Sequence, residues 1–309
     1  MEEGAAMAVQ LTEKYCWEGD RQVLTREQHG IPGICVFGHS LTNRAFSPLE
    51  THVHPGCVEL VVLLKGNQTY TVGGKTYPIS GGNIFISFPG EEHSSGGEPQ
   101  NVSEFYWVQV DLSCEKDFLY LAQEAGDILK KRLQSFSQRV LYCEESLRRY
   151  IADGFQNVAS QNPCRREYGR SLLVSFLYGI LLNERAGIMA LSDEIAGTVS
   201  YIRQNIREEL TLEELAQCAG LSLSRFKARF KKETGMTPRE YINQLKIREA
   251  KKLLKEGRSV TEVALELGFN SSNYFAVLFK KITLYTPTEY QKRARASQPP
   301  ASETPRKEG

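Results

Sequence analysis

Residues 210–241 read LTLEELAQCAGLSLSRFKARFKKETGMTPREY, and residues 258–290 read RSVTEVALELGFNSSNYFAVLFKKITLYTPTEY. The second stretch repeats the first. Leu215-Ala216 returns as Val263-Ala264, Gly220 as Gly268, and Phe226 and Phe230 as Phe275 and Phe279. Lys231-Lys232 returns as Lys280-Lys281, and Thr237-Pro238 as Thr286-Pro287. The alanines stand 48 residues apart and the prolines 49, so the second copy gains one residue in its turn. Each copy has the spacing of a helix-turn-helix: a short helix, a tight turn at glycine, then a helix with a basic end. In the first copy Leu212, Leu215, Ala216, Leu221, Phe226 and Phe230 can close one small core, with Ser222 as N-cap of the second helix.

That second helix leaves Ser224, Arg225, Lys227, Ala228 and Lys231 on its outer faces, with Lys232 beside them. A recognition helix sets its N-terminal outer residues on base edges and its lysines on phosphates. In the second copy Asn270 is expected to cap, and Ser272, Asn273, Ala276 and Val277 face out ahead of Lys280 and Lys281. Asn pairs with adenine, and Ala or Val touches a thymine methyl. The first copy, with Arg225, Lys227 and Arg229, is expected to carry more polar readout than the second. Pro238 suits the first turn of a connecting helix that runs to about Lys255. About 18 residues at ~1.5 Å rise span roughly 27 Å, a little under the ~34 Å of one DNA turn. Such a connector can place the two recognition helices in successive major grooves.

The chain of 309 residues has room for two or three domains and is 41% hydrophobic. Its net charge of +1 hides a division: residues 1–192 carry −5, residues 193–295 carry +6, and the tail is neutral. Basic charge gathered in the repeat suits nucleic-acid contact there. No run of 18 apolar residues occurs, and the acidic start MEEGAAMAVQ does not read as a signal peptide. Seven cysteines form no CxxC pair, which reads as reduced thiols in a cytoplasmic protein.

Ahead of the repeat the texture changes twice. Residues 1–29 are polar and read as an arm over the next domain. From Gly30 to about Leu112 short apolar or alternating runs alternate with glycine turns: Val58–Leu64, Gln68–Val72, Lys75–Ile79, Ile84–Phe88 and Glu104–Val110. This predicts an antiparallel sandwich or barrel. Helical periodicity then runs through Phe118–Leu133, Cys143–Val158 and Tyr168–Leu182, and residues 187–194 read as a linker. The expected class is therefore α+β multidomain. Residues 1–112 form a β domain with its arm, and 113–192 a helical segment for dimerisation or linkage. Residues 193–295 form an all-α double helix-turn-helix domain, and 296–309 a disordered tail.

In the β domain His52 and His54 share a strand face, Glu59 follows, and His93 closes the stretch Pro89-Gly90-Glu91-Glu92-His93. Three imidazoles and a carboxylate suit a divalent transition metal. Two readings stand beside each other. In one the four residues ligate a metal; in the other they line an effector pocket that holds none. No cofactor is certain. Val61, Leu63, Tyr70, Phe85 and Phe88 are candidate pocket walls.

The repeat resembles the DNA-binding domain of the AraC/XylS transcription regulators, over residues 195–293. The histidine pattern resembles the cupin superfamily, although Phe46 stands where a glycine is usual and one extra residue precedes Pro89. The resemblance implies a seven-helix domain binding double-stranded promoter DNA. Ser224, Lys227, Ala228, Ser272, Asn273, Ala276 and Val277 would approach bases. It also implies a cupin-like sensor for a small molecule such as a sugar, a homodimer, and contact with RNA polymerase if the protein is an activator. Leu284 stands where the family has glycine, so its turn is expected to be rebuilt; Lys246 and Gln291 replace arginines. The competing function is a metal-dependent cupin enzyme, an oxygenase or isomerase, with an appended helical domain. The duplicated domain favours a regulator, because an enzyme has no use for it.

Overall fold

A computed structural model describes residues 9–11, 13–183 and 191–296. The expected tail beyond residue 296, and the first half of the expected linker, lie outside the described residues.

The β domain is a curled, largely antiparallel sheet. Its strands are β1 (Val9–Gln10), β2 (Cys16–Trp17), β3 (Arg21–Thr25), β4 (Ile34–Leu41), β5 (His52–Val53), β6 (Cys57–Val72), β7 (Lys75–Ser80), β8 (Asn83–Ser87), β9 (His93–Ser94), β10 (Ser103–Asp111) and β11 (Val140–Tyr142). The order runs β1-β5-β9-β6-β10-β4-β3-β2, with β7 and β8 also on β6 and β11 on β8. The runs Val58–Leu64 and Gln68–Val72 are one strand. Gly66 adopts φ 83° between them, and a Cβ there would strike the carbonyl of Val102. The chain bends at this point without breaking. That bend lets β6 serve both halves of the curl: its first half pairs with β8 and β10, its second with β7 and β9.

Alternation along β6 and β10 splits the core in two. Val61, Leu63, Tyr70, Phe85, Phe105 and Trp107 fill the inside of the curl. Leu60, Val62, Ile84, Ile86, Tyr106 and Val108 face the helices. Both faces of β6 are therefore covered, which is why Val58–Leu64 reads as an unbroken apolar run. Four of the expected pocket walls lie in the inner cluster; Phe88 packs against the other. The polar N-terminal segment joins the sheet, and Glu13 reaches in to accept a hydrogen bond from Trp107 Nε1 at 2.7 Å.

The helices after the sheet are α2 (Gln123–Leu133), α3 (Glu145–Val158) and α4 (Pro163–Leu182), preceded in the chain by the short α1 (Arg26–His29). The helix expected from Phe118 is interrupted. Phe118–Tyr120 is a separate turn with Leu119 left-handed at φ 54°, and α2 starts only after it. Helices α3 and α4 lie in contact where Gly154 meets Gly169. A Cβ on Gly169 would collide with Val158 N and Gly154 O. Leu147, Ile151, Phe155, Leu173 and Phe176 pack onto the sheet.

The C-terminal domain comprises α5 (Asp193–Gln204), α6 (Leu212–Cys218), α7 (Leu223–Thr234), α8 (Pro238–Lys255), α9 (Val260–Glu266), α10 (Ser272–Thr283) and α11 (Pro287–Ala296). Thr211 with Glu214, Thr237 with Glu240 and Ser259 with Glu262 form capping boxes that start α6, α8 and α9. The cap of α10 is Ser271, whose hydroxyl accepts from Tyr274 N at 3.1 Å, rather than Asn270. The extra residue of the second copy falls in this turn and moves the cap one place on. Leu284 corrects another expectation: its turn is not rebuilt. It adopts φ 72°, close to φ 73° of Gly235. Thr283 Oγ1 donates to Phe279 O at 2.8 Å, as Thr234 Oγ1 donates to Phe230 O at 2.7 Å. The turn accepts the left-handed leucine because this threonine bond and the Leu284 N–H to Lys280 O bond hold it.

The two domains meet along a seam. Gly235 lies against Gly81 so closely that a Cβ on either would collide with the other's backbone. Asn67 bonds Gln244, Lys251 pairs with Glu98, and Ala45 N donates to Lys281 O at 2.8 Å. Gly235 is thus held by its backbone conformation and by the seam, whereas Leu284 carries only the conformational cost. Leu284→Gly should raise the unfolding free energy by about 1 kcal/mol. Gly235→Ala should lower it by at least as much and loosen the seam. Urea denaturation of the full chain measures both, and an unmoved midpoint in Gly235→Ala would contradict this packing.

Candidate functional site

On α7 the side chains of Phe226 and Phe230 are fully buried, with Leu215, Ala216, Ile195, Ile202 and Ile242 around them. This leaves Ser224, Arg225, Lys227, Ala228, Lys231 and Lys232 exposed. On α10, Phe275 and Phe279 are buried with Val263, Ala264 and Leu254. Ser272, Asn273, Val277, Lys280 and Lys281 are exposed and Ala276 is half-buried. The outer faces of both helices therefore carry the residues anticipated for them. Two lysines differ from their neighbours: Lys231 and Lys281 border the crevice between the domains, together with Lys65, Gly66 and Gln244. Arg229 also departs from expectation. It is half-buried, with Nε 2.9 Å from Glu233 and Nη2 3.2 Å from Glu194, so its charge is satisfied within the domain. Lys246 is buried over the Phe269 ring, and Gln291 donates to the carbonyls of Leu254 and Arg258 behind the end of α8.

The β domain gathers His52, His54, Glu59 and His93, all buried, with one donor atom of each within 4.8 Å of the others. Sheet topology achieves this. His52 on β5 stands opposite His93 on β9, and β9 pairs with the Thr71–Val72 end of β6; the curl faces that end with the first half of β6, whose inward alternation Glu59, Val61, Leu63 turns the carboxylate toward the histidines. His52 Nδ1 lies 2.8 Å from Glu50 O, and His93 Nδ1 3.1 Å from Glu91 O. A carbonyl only accepts, so each Nδ1 carries the hydrogen and each Nε2 is left without one in the neutral ring. Outer partners of this kind fix the orientation of metal-binding imidazoles. Glu59 Oε1 lies 3.3 Å from His54 Nε2, and Oε2 3.3 Å from His93 Nε2. Gln109 Nε2 donates to Glu59 Oε1 at 3.0 Å.

Burial alone would raise the Glu59 carboxyl, yet hydrogen bonds and charge from His54 and His93 hold it well below the usual carboxylate range. Burial opposes the charged form of His93, but Glu59 outweighs it and raises that imidazole. Burial lowers His52. Facing one carboxylate, then, are an imidazole that keeps a proton and another that sheds it. Gln109 was missed from sequence. The available signal was a polar residue at an inward position, two beyond Trp107, in an otherwise apolar strand.

Next to the cluster lies a cavity of about 530 Å³ between the N-terminal segment and the sheet. It is lined by Gln10, Glu13, Lys14 and Tyr15 on one side and by Cys35, His54, Cys57 and Gln109 on the other. A β-sheet sensor with a polar cavity, joined to paired helix-turn-helix units with exposed polar faces, defines a ligand-responsive DNA-binding regulator.

Comparison with known proteins agrees. Residues 31–126 match the family model described as AraC-like ligand binding domain, and residues 215–293 match one described as helix-turn-helix domain. The chain belongs to the AraC/XylS family of transcription regulators. It is similar to the HTH-type transcriptional activator RhaS of Klebsiella pneumoniae (strain 342): 23% identical over 244 residues, 75% of this chain and 84% of that protein. It is also similar to the HTH-type transcriptional activator RhaR of Mannheimia succiniciproducens: 26% identical over 253 residues, 80% and 88% of the two chains. Among solved structures, ToxT from Vibrio cholerae covers 88% of this chain and 98% of its own at 15% identity, with a TM-score of 0.33. The DNA-binding domain of AdpA, solved with a target DNA, covers 36% of this chain and 100% of its own at 30% identity, with a TM-score of 0.34. The relatives are activators by name, and the chain is a regulator rather than an enzyme. Among the described residues no helix is long and apolar enough to cross a membrane.

The Glu59–His93 pair sets a pH dependence. A depressed Glu59 stabilises the fold above the ordinary carboxylate value of 4.5, and this is lost as pH falls through its folded value. A raised His93 stabilises the fold below 6.5, and this is lost as pH rises through its folded value. The pair therefore contributes most between pH 4.5 and 6.5. In metal-stripped protein, the stability difference between native and Glu59→Gln chains should be largest in that window. A difference that is flat with pH would contradict the pairing.

Proposed function

We propose that the chain binds double-stranded promoter DNA by setting α7 and α10 in successive major grooves. In this reading a small polar effector occupies the cavity beside His54 and Gln109. The observation that carries it is the exposure of the outer faces of both recognition helices, Ser224 to Lys232 and Ser272 to Lys281, on two cores that share α8. The 18 residues of α8 span roughly 27 Å at ~1.5 Å rise, which suits helices about one DNA turn apart. Arg225 and Lys227 give the first unit hydrogen bonds to base edges and phosphates. Ser272, Asn273, Ala276 and Val277 give the second a weaker, more apolar readout. The names of the relatives support activation, with RNA polymerase as a further partner, and a cytoplasmic location fits a DNA reader. We place the domain boundary near residue 192; residue 112 marks the change from strands to helices, which with β11 share the core of the sheet. Tyr168 and Leu182, exposed on α4, support a homodimer contact there. The glutamate, glutamine, lysine and tyrosine lining of the cavity suits a polyhydroxy compound such as a sugar.

A gel shift of the full chain on DNA from upstream of its own reading frame tests the first part. Binding should be sequence-selective and fall steeply with salt. Arg225→Ala should lose about 1–3 kcal/mol of affinity and relax base preference. Lys280→Ala should weaken all sequences alike and reduce the salt slope by about 1. Binding that both substitutions leave untouched would remove α7 and α10 from the interface.

We further propose that His52, His54, Glu59 and His93 ligate one divalent transition metal. One donor atom of each lies within 4.8 Å of the others, and the two Glu59 oxygens stand 3.3 Å from His54 Nε2 and from His93 Nε2, one each. In His52 and His93 a backbone carbonyl holds Nδ1, which leaves Nε2 as the ligand atom of the neutral ring. Such an ion would polarise an effector hydroxyl or carbonyl in the adjoining cavity. Elemental analysis after equilibration with zinc should give one ion per chain, and Glu59→Ala should weaken it 10–100-fold or more. Less than a tenth of an ion in the native chain would leave the four residues as the wall of a metal-free pocket.

A further inference from the structure

Cys35 and Cys57 are not part of the histidine cluster, yet their sulfurs stand 3.4 Å apart and both line the same cavity. Both are free thiols. They sit on β4 and β6, the two strands that flank β10. The register of β10 against β4 slips between Gln109 and Val110, opposite Cys35, and this turns Cys35 toward the inside of the curl, where it packs against the inner cluster. Cys57 is buried and Cys35 half-buried at the cavity wall. A small solute in the cavity thus meets Cys35 with Cys57 behind it. Their contact is asymmetric: a hydrogen bond from Cys57 holds the Cys35 thiol below its ordinary value. An accessible, more acidic thiol beside a resolving thiol is the arrangement from which oxidant-sensing pairs are built.

We propose that Cys35 and Cys57 form a reversible redox site in the cavity wall, oxidised by hydroperoxides to a disulfide. The Cys35 thiolate sulfur attacks one oxygen of hydrogen peroxide. The O–O bond breaks, and the departing oxygen takes a proton and leaves as water, giving a sulfenic acid on Cys35. The Cys57 thiol gives up its proton and its sulfur attacks the Cys35 sulfur; the S–O bond breaks and a second water leaves. In sum two thiols and one peroxide give one disulfide and two waters. Each sulfur loses one electron and the peroxide oxygens gain two. A small-molecule thiol reverses the step by thiol–disulfide exchange.

The bond also moves the wall. The sulfurs stand 3.4 Å apart, whereas a disulfide sets them at about 2.05 Å. Closure therefore pulls β4 and β6 toward each other across β10. Gln109, which holds Glu59 and lies 3.3 Å from His54, stands on β10 at that level. Strain of this kind keeps such a disulfide easily reduced. The effect on DNA binding rests on the cavity being the effector site; the oxidation chemistry does not.

The test treats the full-length protein with a few equivalents of hydrogen peroxide, alkylates the remaining thiols and maps the peptides. Cys35 and Cys57 should lose alkylation together, appear as one linked peptide lighter by two hydrogens, and return with dithiothreitol. In Cys57→Ser, dimedone should trap Cys35 as a sulfenic acid. Oxidation of the exposed Cys164 and Cys218 ahead of the pair, or linkage of either member to another cysteine, would overturn the proposal. A gel shift on the same upstream DNA then reads the coupling. Oxidation should change the affinity of the native chain severalfold and leave Cys35→Ser unmoved. A mapped disulfide with unchanged affinity would overturn the coupling. Failure of the reduced chain to bind that DNA would count against the DNA-reading proposal, while the peptide map would still decide the redox site.

Discussion

Helix α8 is the shared wall on which the DNA-binding domain depends. One end of it, through Ile242 and Leu245, closes the core that holds Phe226 and Phe230. The other, through Ile247, Ala250, Leu253 and Leu254, closes the core that holds Phe275 and Phe279. Each helix-turn-helix unit brings two short helices and two or three buried phenylalanines, Phe226 and Phe230 in the first and Phe269, Phe275 and Phe279 in the second. Burying a phenylalanine is worth about 1.5–3 kcal/mol, so each unit draws a large part of its stability from the connector. This helix of 18 residues, with a capping box and proline at its start, runs through both cores. The two recognition helices therefore keep one separation, and a motif that looks duplicated works as a single reader.

The β domain solves a different problem, that of keeping a carboxylate inside a protein. An isolated buried charge is expensive, and Glu59 sits among Val61, Leu63, Tyr70 and Phe85 on the inner face. Compensation comes from three directions: His54, His93 and Gln109, each from a different part of the chain. The strand order brings them together, so the cluster exists only when β5, β9, β6 and β10 are all in place. This couples the integrity of the fold to the contents of the cavity, because whatever ion or proton settles on the imidazoles changes what Glu59 must be paired with.

Legibility in the sequence followed the range of the interactions. The repeat was readable because capping boxes, left-handed glycines and phenylalanines at i, i+4 are local signals, and all recur in register. Where a local signal had two candidates the reading slipped: Asn270 and Ser271 both suit an N-cap, and the hydrogen bond to Tyr274 N selects Ser271. Leu284 was misjudged because its conformational cost is visible in sequence, while the bond from Thr283 Oγ1 to Tyr285 O at 3.0 Å is not. The four ligand candidates were readable as residue types, but their convergence depends on pairings such as His52 with His93, 41 positions on. The thiol pair and the satisfied charge of Arg229 arise from non-local contacts and have no signature in spacing, and Gln109 shows only its inward place two beyond Trp107. The seam is invisible for the same reason: Gly81 and Gly235 each look like ordinary turn glycines until they are seen back to back.

That seam gives the sensor a hold on both halves of the reader at once. Gly235 and Gln244 belong to the first unit and the middle of α8, and Lys281, whose carbonyl takes the Ala45 N–H, belongs to the second. The grip lies at the C-terminal ends of α7 and α10 and leaves Ser224, Arg225, Ser272 and Asn273 uncovered. The β domain in this arrangement does not mask the outer faces; it touches the ends of both helices beside α8. Beside the glycine pair the seam is bridged by Asn67 with Gln244 and by Lys251 with Glu98, and Met236, Leu278 and Ile282 line the crevice next to it. Gly66 connects the seam to the histidine cluster through one strand: it shapes the bend of β6 at the crevice between the domains, and the same strand carries Glu59 to His54 and His93.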